Sequence, residues 1–217
     1  MNITDTPHYR QWAESIDAAG NRLATFEPLW RFDVGDGYPL AWAARTQIHV
    51  TTEDRSKEEF VLSRPNISHV VGIRYDKENP LDSDVVMVRE FRCTSNTPSG
   101  FIHETPGGSS FKGQNPLQDA ADEFFQETGL RVGPNRLEHL SSKQVCGTFS
   151  THKAHVYMVE LTEAEIEQVY NSGAQGNVEE TERTYPLVVP ALALLDPYAD
   201  WSNTGMVLQA LAVLGGR

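Results

Sequence analysis

Residues 104–130 read ETPGGSSFKGQNPLQDAADEFFQETGL, and the interpretation of the whole chain starts from this stretch. Asn115 followed by Pro116 predicts the start of a helix, because Asn caps free backbone N–H groups and Pro suits the first helical position. Gly129 predicts the end of the same helix. Apolar residues recur at helical spacing between these limits, which predicts one face packed against a core.

The opposite face of this predicted helix is acidic. Its polar positions are Asp119, Asp122, Glu123, Gln126 and Glu127. Like charges three and four residues apart repel by roughly a few tenths of a kcal/mol per pair, so the stripe does not stabilise the helix. A divalent cation would relieve the repulsion, and oxygen ligands favour a hard ion such as Mg²⁺ or Mn²⁺. The alternative is an ordinary solvated acidic face.

A glycine turn precedes the helix. Pro106, Gly107 and Gly108 follow one another, and glycine lets the backbone approach a ligand closely. The carbonyl oxygen of Gly107 is therefore a further candidate ligand for the same ion.

In order and spacing, the stretch resembles the signature of the Nudix hydrolase family. That signature reads Gly, five residues, Glu, seven residues, then Arg-Glu-hydrophobic-any-Glu-Glu-any-Gly-hydrophobic. Three positions differ here, because Gln114 stands for the first Glu, Asp122 for the Arg and Gln126 for the first Glu of the pair. The matching residues are Gly108, Glu123, Phe124, Glu127, Gly129 and Leu130.

The resemblance implies an α/β fold, namely the Nudix α/β/α sandwich with a mixed sheet, plus a small N-terminal β-rich subdomain. We expect residues 1–62 to form the N-terminal helix and β-rich subdomain, with a possible role in dimerisation. Residues 63–217 would then form the Nudix domain.

The resemblance also implies a metal site on the acidic helix. In the family, Glu residues of this helix hold the metal ions that bridge a diphosphate, so Glu123 and Glu127 are the expected ligands. Gln126 offers only a neutral oxygen, and Gly107 offers its carbonyl. Glu123 is expected to be essential for catalysis as well. Independently of the family, we infer that the carboxylate of Asp122 is a further candidate ligand.

A strand is predicted over residues 83–93, SDVVMVREFRC, where a buried apolar run ends in charge. The order of this strand, a turn and then Glu104 before the glycines resembles the ADP-ribose pyrophosphatase branch of the family. The resemblance makes Arg92 the first candidate for binding the substrate phosphates and Arg89 the second. Glu104 would be a further substrate-binding residue and would assist the metal site. The alternative for both arginines is a solvated strand end.

A second candidate segment is residues 173–190, GAQGNVEETERTYPLVVP. In the ADP-ribose branch a loop at this place supplies a Glu that helps to activate the attacking water. Counting back from Val188, Glu182 falls nearest that position, with Glu180 beside it. The alternative is an acidic solvated loop.

The composition describes a soluble globular protein, with 39% hydrophobic and 22% charged residues among 217. A formal net charge of −12 argues against a nucleic-acid partner. We expect no membrane span and no secretory signal, because no apolar run is long enough and the N-terminus has no basic-then-apolar pattern. Two cysteines, Cys93 and Cys146, are too few for a disulfide framework, which favours a cytoplasmic setting.

Further elements are predicted along the chain. A helix is expected over residues 7–19, followed by strands within residues 23–35, 39–54 and 58–75. Two more strands are expected within residues 131–140 and 141–161. Thr162 with Glu165 predicts a capping box, and Ser202 or Asn203 predicts the cap of a closing helix.

These observations lead to two functional hypotheses. The first is metal-dependent hydrolysis, with Mg²⁺ or Mn²⁺, of the diphosphate linkage of a nucleoside diphosphate derivative, ADP-ribose or a nucleotide sugar above all. The second is a catalytically impaired Nudix-like module that binds a nucleotide sugar or has a regulatory role. This hypothesis follows from the three substitutions in the signature. By analogy with the ADP-ribose branch we expect a homodimer.

Overall fold

The computed structural model describes residues 1–109, 115–176 and 183–217. Two sheets and four α-helices are formed by these residues. The helices are α1 (Pro7–Ala18), α2 (Pro116–Thr128), α3 (Glu163–Tyr170) and α4 (Trp201–Gly215). The strands are β1 (Arg22–Val34), β2 (Tyr38–Val50), β3 (Arg55–Ser63), β4 (Ile67–Arg74), β5 (Asp84–Phe91), β6 (Phe101–Glu104), β7 (Gly107–Ser109), β8 (Glu138–Gln144), β9 (Lys153–Glu160) and β10 (Tyr185–Pro190).

Helix boundaries follow the local signals in the sequence. The side chain of Asn115 accepts a hydrogen bond from the N–H of Gln118, and Gly129 ends α2 with a φ of 73°. The capping box between Thr162 and Glu165 is also formed at the start of α3. These three predictions are confirmed, because each depends on hydrogen bonds between residues close in sequence.

Two details of the predicted elements are wrong. Residues 58–75 form two strands, not one, and Pro65 lies between β3 and β4, where its missing N–H interrupts the hydrogen-bonded ladder. The cap of α4 is Asp200, whose side chain accepts a hydrogen bond from the N–H of Asn203 at 2.8 Å. The cap was expected at Ser202 or Asn203, and the helix starts before both.

The chain divides into two compact units. The first comprises the described residues of Met1–Ile67, Ser109–Gln114 and Lys143–Ala154, and the second comprises Ser68–Gly108, Asn115–Ser142 and His155–Arg217. The predicted boundary between residues 62 and 63, as a boundary between domains, stays a prediction.

The first unit contains an antiparallel sheet in the order β1-β2-β3. Trp42 of β2 is fully buried, and Tyr9, Trp12 and Phe26 pack against its cluster. Because side chains alternate along a strand, the neighbours of Trp42 in β2 point to the opposite face of the sheet.

That opposite face presents aromatic side chains to solvent. The register pairs Trp30 with Ala43, Phe32 with Ala41, and Phe60 with Arg45. Trp30, Phe32 and Phe60 are each at least half exposed, and we call these three residues the aromatic face.

The second unit is built on the larger, mixed sheet of seven strands, whose main order is β10-β5-β4-β9-β8, with β6 on β5 and β7 on β4. One face packs on α2 and α3, where Phe124 is fully buried among Val70, Val86 and Val169. The alternate residues Ile73 and Met87 are fully buried on the other face. This arrangement positions α2 directly against β5 and β7. None of the helices in the described parts of the chain combines the length and apolar character that crossing a bilayer requires.

Candidate active site

The glycine turn and α2 meet through a direct hydrogen bond. The N–H of Gly107 in β7 donates to Oε2 of Glu127 at 2.7 Å. Glu123, one turn earlier in the helix, lies against Gly108. The spacing of four residues puts both carboxylates on the same side of α2, as the sequence predicted.

Both glycines are required by close contacts, although for different reasons. A Cβ atom added to Gly107 would lie 2.3 Å from the backbone oxygen of Ser68, which has no freedom to move away. A Cβ atom added to Gly108 would lie 2.5 Å from Cδ of Glu123. The lack of a side chain at Gly107 therefore allows β7 to pack on β4. At Gly108 it leaves space for the carboxylate of Glu123.

Four carboxylates lie near one another at this place, and we call them the acid cluster: Glu90, Glu104, Glu123 and Glu127. Burial raises the pKa of Glu127 well above its usual range. The hydrogen bond from Gly107 opposes this rise, whereas the charges of Glu123, Glu90 and Glu104 add to it. Only 8% of Glu127 is exposed, so water screens these repulsions weakly.

Arg92 is the cation of this site. Its guanidinium lies 2.9 Å from Oε2 of Glu90 and 2.8 Å from Oε2 of Glu104. Burial acts to lower the pKa of Arg92, but Glu104 and Glu90 outweigh burial and raise it. The arginine thus remains charged and joins β5 to β6 beside the glycine turn.

Glu90 is a site residue that the sequence analysis missed. It lies in β5 and is 9% exposed. Alternation along the strand provides the signal, because Val86, Val88 and Glu90 point to one face, and Val86 packs in the core beneath α2. The buried apolar run was interpreted as ending before Glu90, whereas its inward face continues to that residue.

Arg89 lies on the other face of β5, apart from the acid cluster. Its guanidinium carbon is 4.1 Å from the centroid of the Phe101 ring and 5.8 Å from that of Tyr185. The structure therefore groups Arg92 with Glu104 but does not group Arg89 with them.

Two further candidate residues of α2 point outward, namely Asp122 and Gln126. Asp122 is exposed and accepts a hydrogen bond from Nε2 of Gln118 at 3.0 Å. Gln126 is exposed as well. Gln114, Glu180 and Glu182 lie outside the described residues.

A buried polar network supports the turn from behind, and the sequence analysis missed it too. Oδ1 of Asn203 in α4 accepts hydrogen bonds from the N–H and the hydroxyl of Thr105, both at 2.8 Å. Nδ1 of His69 lies 3.0 Å from the carbonyl oxygen of Thr105. Because Thr105 stands between Glu104 and the glycines, these contacts hold both parts of the site in place.

The acid cluster has the chemistry of a site for a hard cation. Carboxylate oxygens are the ligands that Mg²⁺ and Mn²⁺ prefer, and a cation would relieve the repulsion that raises the pKa of Glu127. Within the described ranges, three or more His, Cys, Asp or Glu side chains do not converge in a metal-binding geometry. Glu123 and Glu127 thus fit the ion as a pair, with other ligands needed to complete its coordination.

Comparison with known proteins concerns the fold. A crystal structure of an ADP compounds hydrolase matches with a TM-score of 0.62 and 15% sequence identity, over 90% of this chain and 95% of that chain. The match confirms the predicted α/β fold with a mixed sheet. No family model matches the sequence, and no curated protein matches it.

Proposed function

We propose that this protein is a metal-dependent hydrolase that cleaves the diphosphate linkage of a nucleoside diphosphate derivative. The observation that supports this most strongly is the acid cluster beside a glycine turn, in which Gly107 donates to the buried Glu127 at 2.7 Å. Such a concentration of negative charge fits a divalent cation, and a cation fits a diphosphate. The fold shared with an ADP compounds hydrolase makes ADP-ribose or a nucleotide sugar the first substrates to test.

In this proposal Glu123 and Glu127 hold Mg²⁺ or Mn²⁺, with the Gly107 carbonyl and the neutral oxygen of Gln126 as further ligands. The bound ion would supply Lewis acidity toward the phosphoryl oxygens and lower the pKa of water. Gly107 fixes the position of the Glu127 carboxylate through its N–H.

Arg92 would bind the phosphates on the substrate side. Its guanidinium already spans Glu90 and Glu104, so its orientation is set before a substrate arrives. Arg89 has a secondary place in the proposal, because it lies over Phe101 on the other face of β5.

Proton transfer from the attacking water is assigned to the acidic segment before β10. We propose Glu182 as the residue that orients or deprotonates this water, with Glu180 as the second candidate. Both assignments rest on the resemblance in sequence.

The test is the release of products from ADP-ribose, nucleotide sugars, dinucleotides and nucleoside triphosphates, with Mg²⁺ or Mn²⁺ and with chelator. We expect metal-dependent cleavage by the wild type and a loss of at least about 100-fold in Glu123→Gln, since changes outside the ligand shell alone reduce activity by ~10–100-fold. Glu167→Gln is the matched control, because Glu167 is exposed on α3 in the same unit. Equal turnover by Glu123→Gln and wild type would refute the metal assignment.

The second candidate function is binding without cleavage. It is favoured by the three substitutions in the signature, Gln114, Asp122 and Gln126. Gln126 leaves an outward-facing amide where the family has a carboxylate, and Asp122 stands where the family has an Arg. In that case no compound is cleaved, but one of the same panel raises the melting temperature.

We also propose that the protein is a homodimer that functions in the cytoplasm. The aromatic face supports the first point, because several exposed aromatic side chains on one sheet face are typical of interaction surfaces. Cys93 and Cys146 are both exposed and unpaired, which suits a reducing setting.

A further inference from the structure

A polar cavity lies inside the first unit, among residues that the proposed reaction does not use. Its volume is about 80 Å³. A single water molecule needs only ~10–15 Å³ measured in this way, so the cavity has room for a small polyatomic ligand. Its wall includes His8 and Gln11 from α1, Arg64 and Asn66 from the segment between β3 and β4, and Lys153 from β9.

His8 is a buried polar side chain in this wall. It is 6% exposed, and neither Nδ1 nor Nε2 has a hydrogen-bond partner among the described residues. Its ring is nearly parallel to that of Trp42, with centroids 6.2 Å apart. Burial lowers the pKa of His8 to about 4, so the imidazole is neutral at pH 7 and has one N–H to donate. A buried polar group without a partner is unfavourable, and a ligand in the cavity would supply one.

The charge of the wall indicates the class of ligand. Arg64 and Lys153 are cationic, and no acidic side chain is present among the described residues that line the cavity. The chain as a whole has a formal net charge of −12, so a lining with two cations and no acid is not explained by composition.

Hydrogen bonds fix the frame of the cavity. Nδ2 of Asn66 donates to Oε1 of Gln11 at 3.1 Å, and Oδ1 of Asn66 accepts from the N–H of Lys153 at 2.9 Å. Asn66 thereby connects α1 with the start of β9. Arg64 donates to the hydroxyl of Ser109. The cavity is thus a built feature in which three separate segments place donors around one space.

We propose that this cavity binds a small oxyanion of the phosphate class, with Arg64 and Lys153 balancing its charge and the His8 ring donating a hydrogen bond. Phosphate oxygens accept hydrogen bonds from guanidinium, ammonium and imidazole groups, which are the donors on this wall. The site is separate from the acid cluster and does not depend on the proposed hydrolysis.

The test is calorimetric titration of inorganic phosphate into the full chain, in a phosphate-free buffer with chelator, together with thermal unfolding at matched ionic strength. Chelator prevents phosphate from binding through a divalent cation at the acid cluster. We expect saturable binding of one phosphate per chain and a rise in melting temperature that chloride does not reproduce. Affinity should fall roughly tenfold or more in His8→Phe and in Lys153→Met, because each removes a hydrogen bond to a charged group.

Lys57→Met is the matched control, because it removes the same charge from the same unit at a residue that pairs with Glu59 on β3. It should bind phosphate as the wild type does. If His8→Phe fails to fold, Lys153→Met and the shift of the His8 ring nitrogen resonances on adding phosphate to the wild type still decide the question. A phosphomonoester titrated in parallel distinguishes a phosphorylated metabolite from the free ion. Absence of saturable binding for both, or equal binding by wild type and Lys153→Met, would overturn the proposal.

Discussion

The environment of a single residue, Glu127, is typical of a functional site. Glu127 is a buried carboxylate that accepts a hydrogen bond from the backbone N–H of Gly107, and the charges of neighbouring acids act on it. Burying a charge is unfavourable unless it is paired. The molecule therefore keeps an unfavourable group at the place where the sequence resembles a metal site, a pattern that is typical of functional residues.

The pKa of Glu127 leads to a prediction about stability. Because its pKa is higher in the folded than in the unfolded protein, its contribution to stability is fully present below the unfolded value near 4.5 and is lost as the pH rises through the folded value. In chelator at pH 8, Glu127→Gln should raise the melting temperature by several degrees, at roughly 2–4 °C per kcal/mol. The gain should disappear near pH 4. Thermal unfolding across this pH range measures it.

The same thermal unfolding measurements, repeated with Mg²⁺ or Mn²⁺, test the proposed cation binding. Added cation should stabilise the wild type and have little effect on Glu127→Gln, because the variant has lost one of the two carboxylates. Glu167→Gln, on the exposed side of α3, should behave as the wild type in both series. An identical pH dependence of the melting temperature in all three proteins would contradict the raised pKa of Glu127.

Helices and strands differ in how far their limits could be predicted. The start and end of α2 were predicted correctly because Asn115 and Gly129 act on backbone groups within a few residues. The short strand β7 was expected only as a turn, since its pairing with β4 is a contact between distant parts of the chain. The cap of α4 was misplaced because Asn203, a good cap by residue type, is used to hold Thr105.

The two glycines of β7 allow the packing role and the site role of this strand to be separated. Gly107→Ala places a Cβ atom 2.3 Å from a backbone oxygen, and we expect it to reduce the free energy of unfolding by about 1–3 kcal/mol, as overpacking does. In Gly108→Ala, the added Cβ atom would contact the carboxylate end of the Glu123 side chain, which is flexible. The free energy of unfolding should therefore change by less than about 1 kcal/mol, while the affinity for Mn²⁺ falls.

Urea denaturation and a Mn²⁺ titration of both variants check this pair. Each variant is the control for the other, because the same methyl group is added at adjacent positions. Unchanged Mn²⁺ affinity in Gly108→Ala would show that the Glu123 carboxylate does not need the space beside this glycine.

At the scale of the whole molecule, the homodimer is a prediction that concerns the aromatic face. The aromatic face of the three-stranded sheet exposes 52% of Trp30, 50% of Phe32 and 60% of Phe60. Such side chains are unusual on the free surface of a monomer when they lie together on one sheet face.

We therefore expect Phe60→Glu to convert a dimer into a monomer, because burying the aromatic face against a partner would then require a charge to be desolvated. Light scattering coupled to gel filtration at micromolar concentration measures the mass. Tyr170→Glu is the control, since Tyr170 is 73% exposed on α3, outside the aromatic face. A monomeric wild type at this concentration would argue against the homodimer.

The sequence by itself determined the limits of α2, the capping box of α3, and the placement of Glu123 and Glu127 on one side of α2. These features depend on backbone hydrogen bonds and on periodicity over a few residues, which a linear sequence displays directly. Only the tertiary structure decided that Glu90 joins the acid cluster, that Arg92 spans Glu90 and Glu104, and that Arg89 lies elsewhere.

The physical reason is that these latter contacts join residues far apart in the chain. Thr105 and Asn203 are separated by 98 positions, and Asn66 contacts Gln11 across 55. The packing of whole strands and helices determines such pairs, because a buried polar group forms its hydrogen bonds with the groups that the fold places near it. The residue types in the sequence show which groups need partners, and the tertiary structure decides which partners they have.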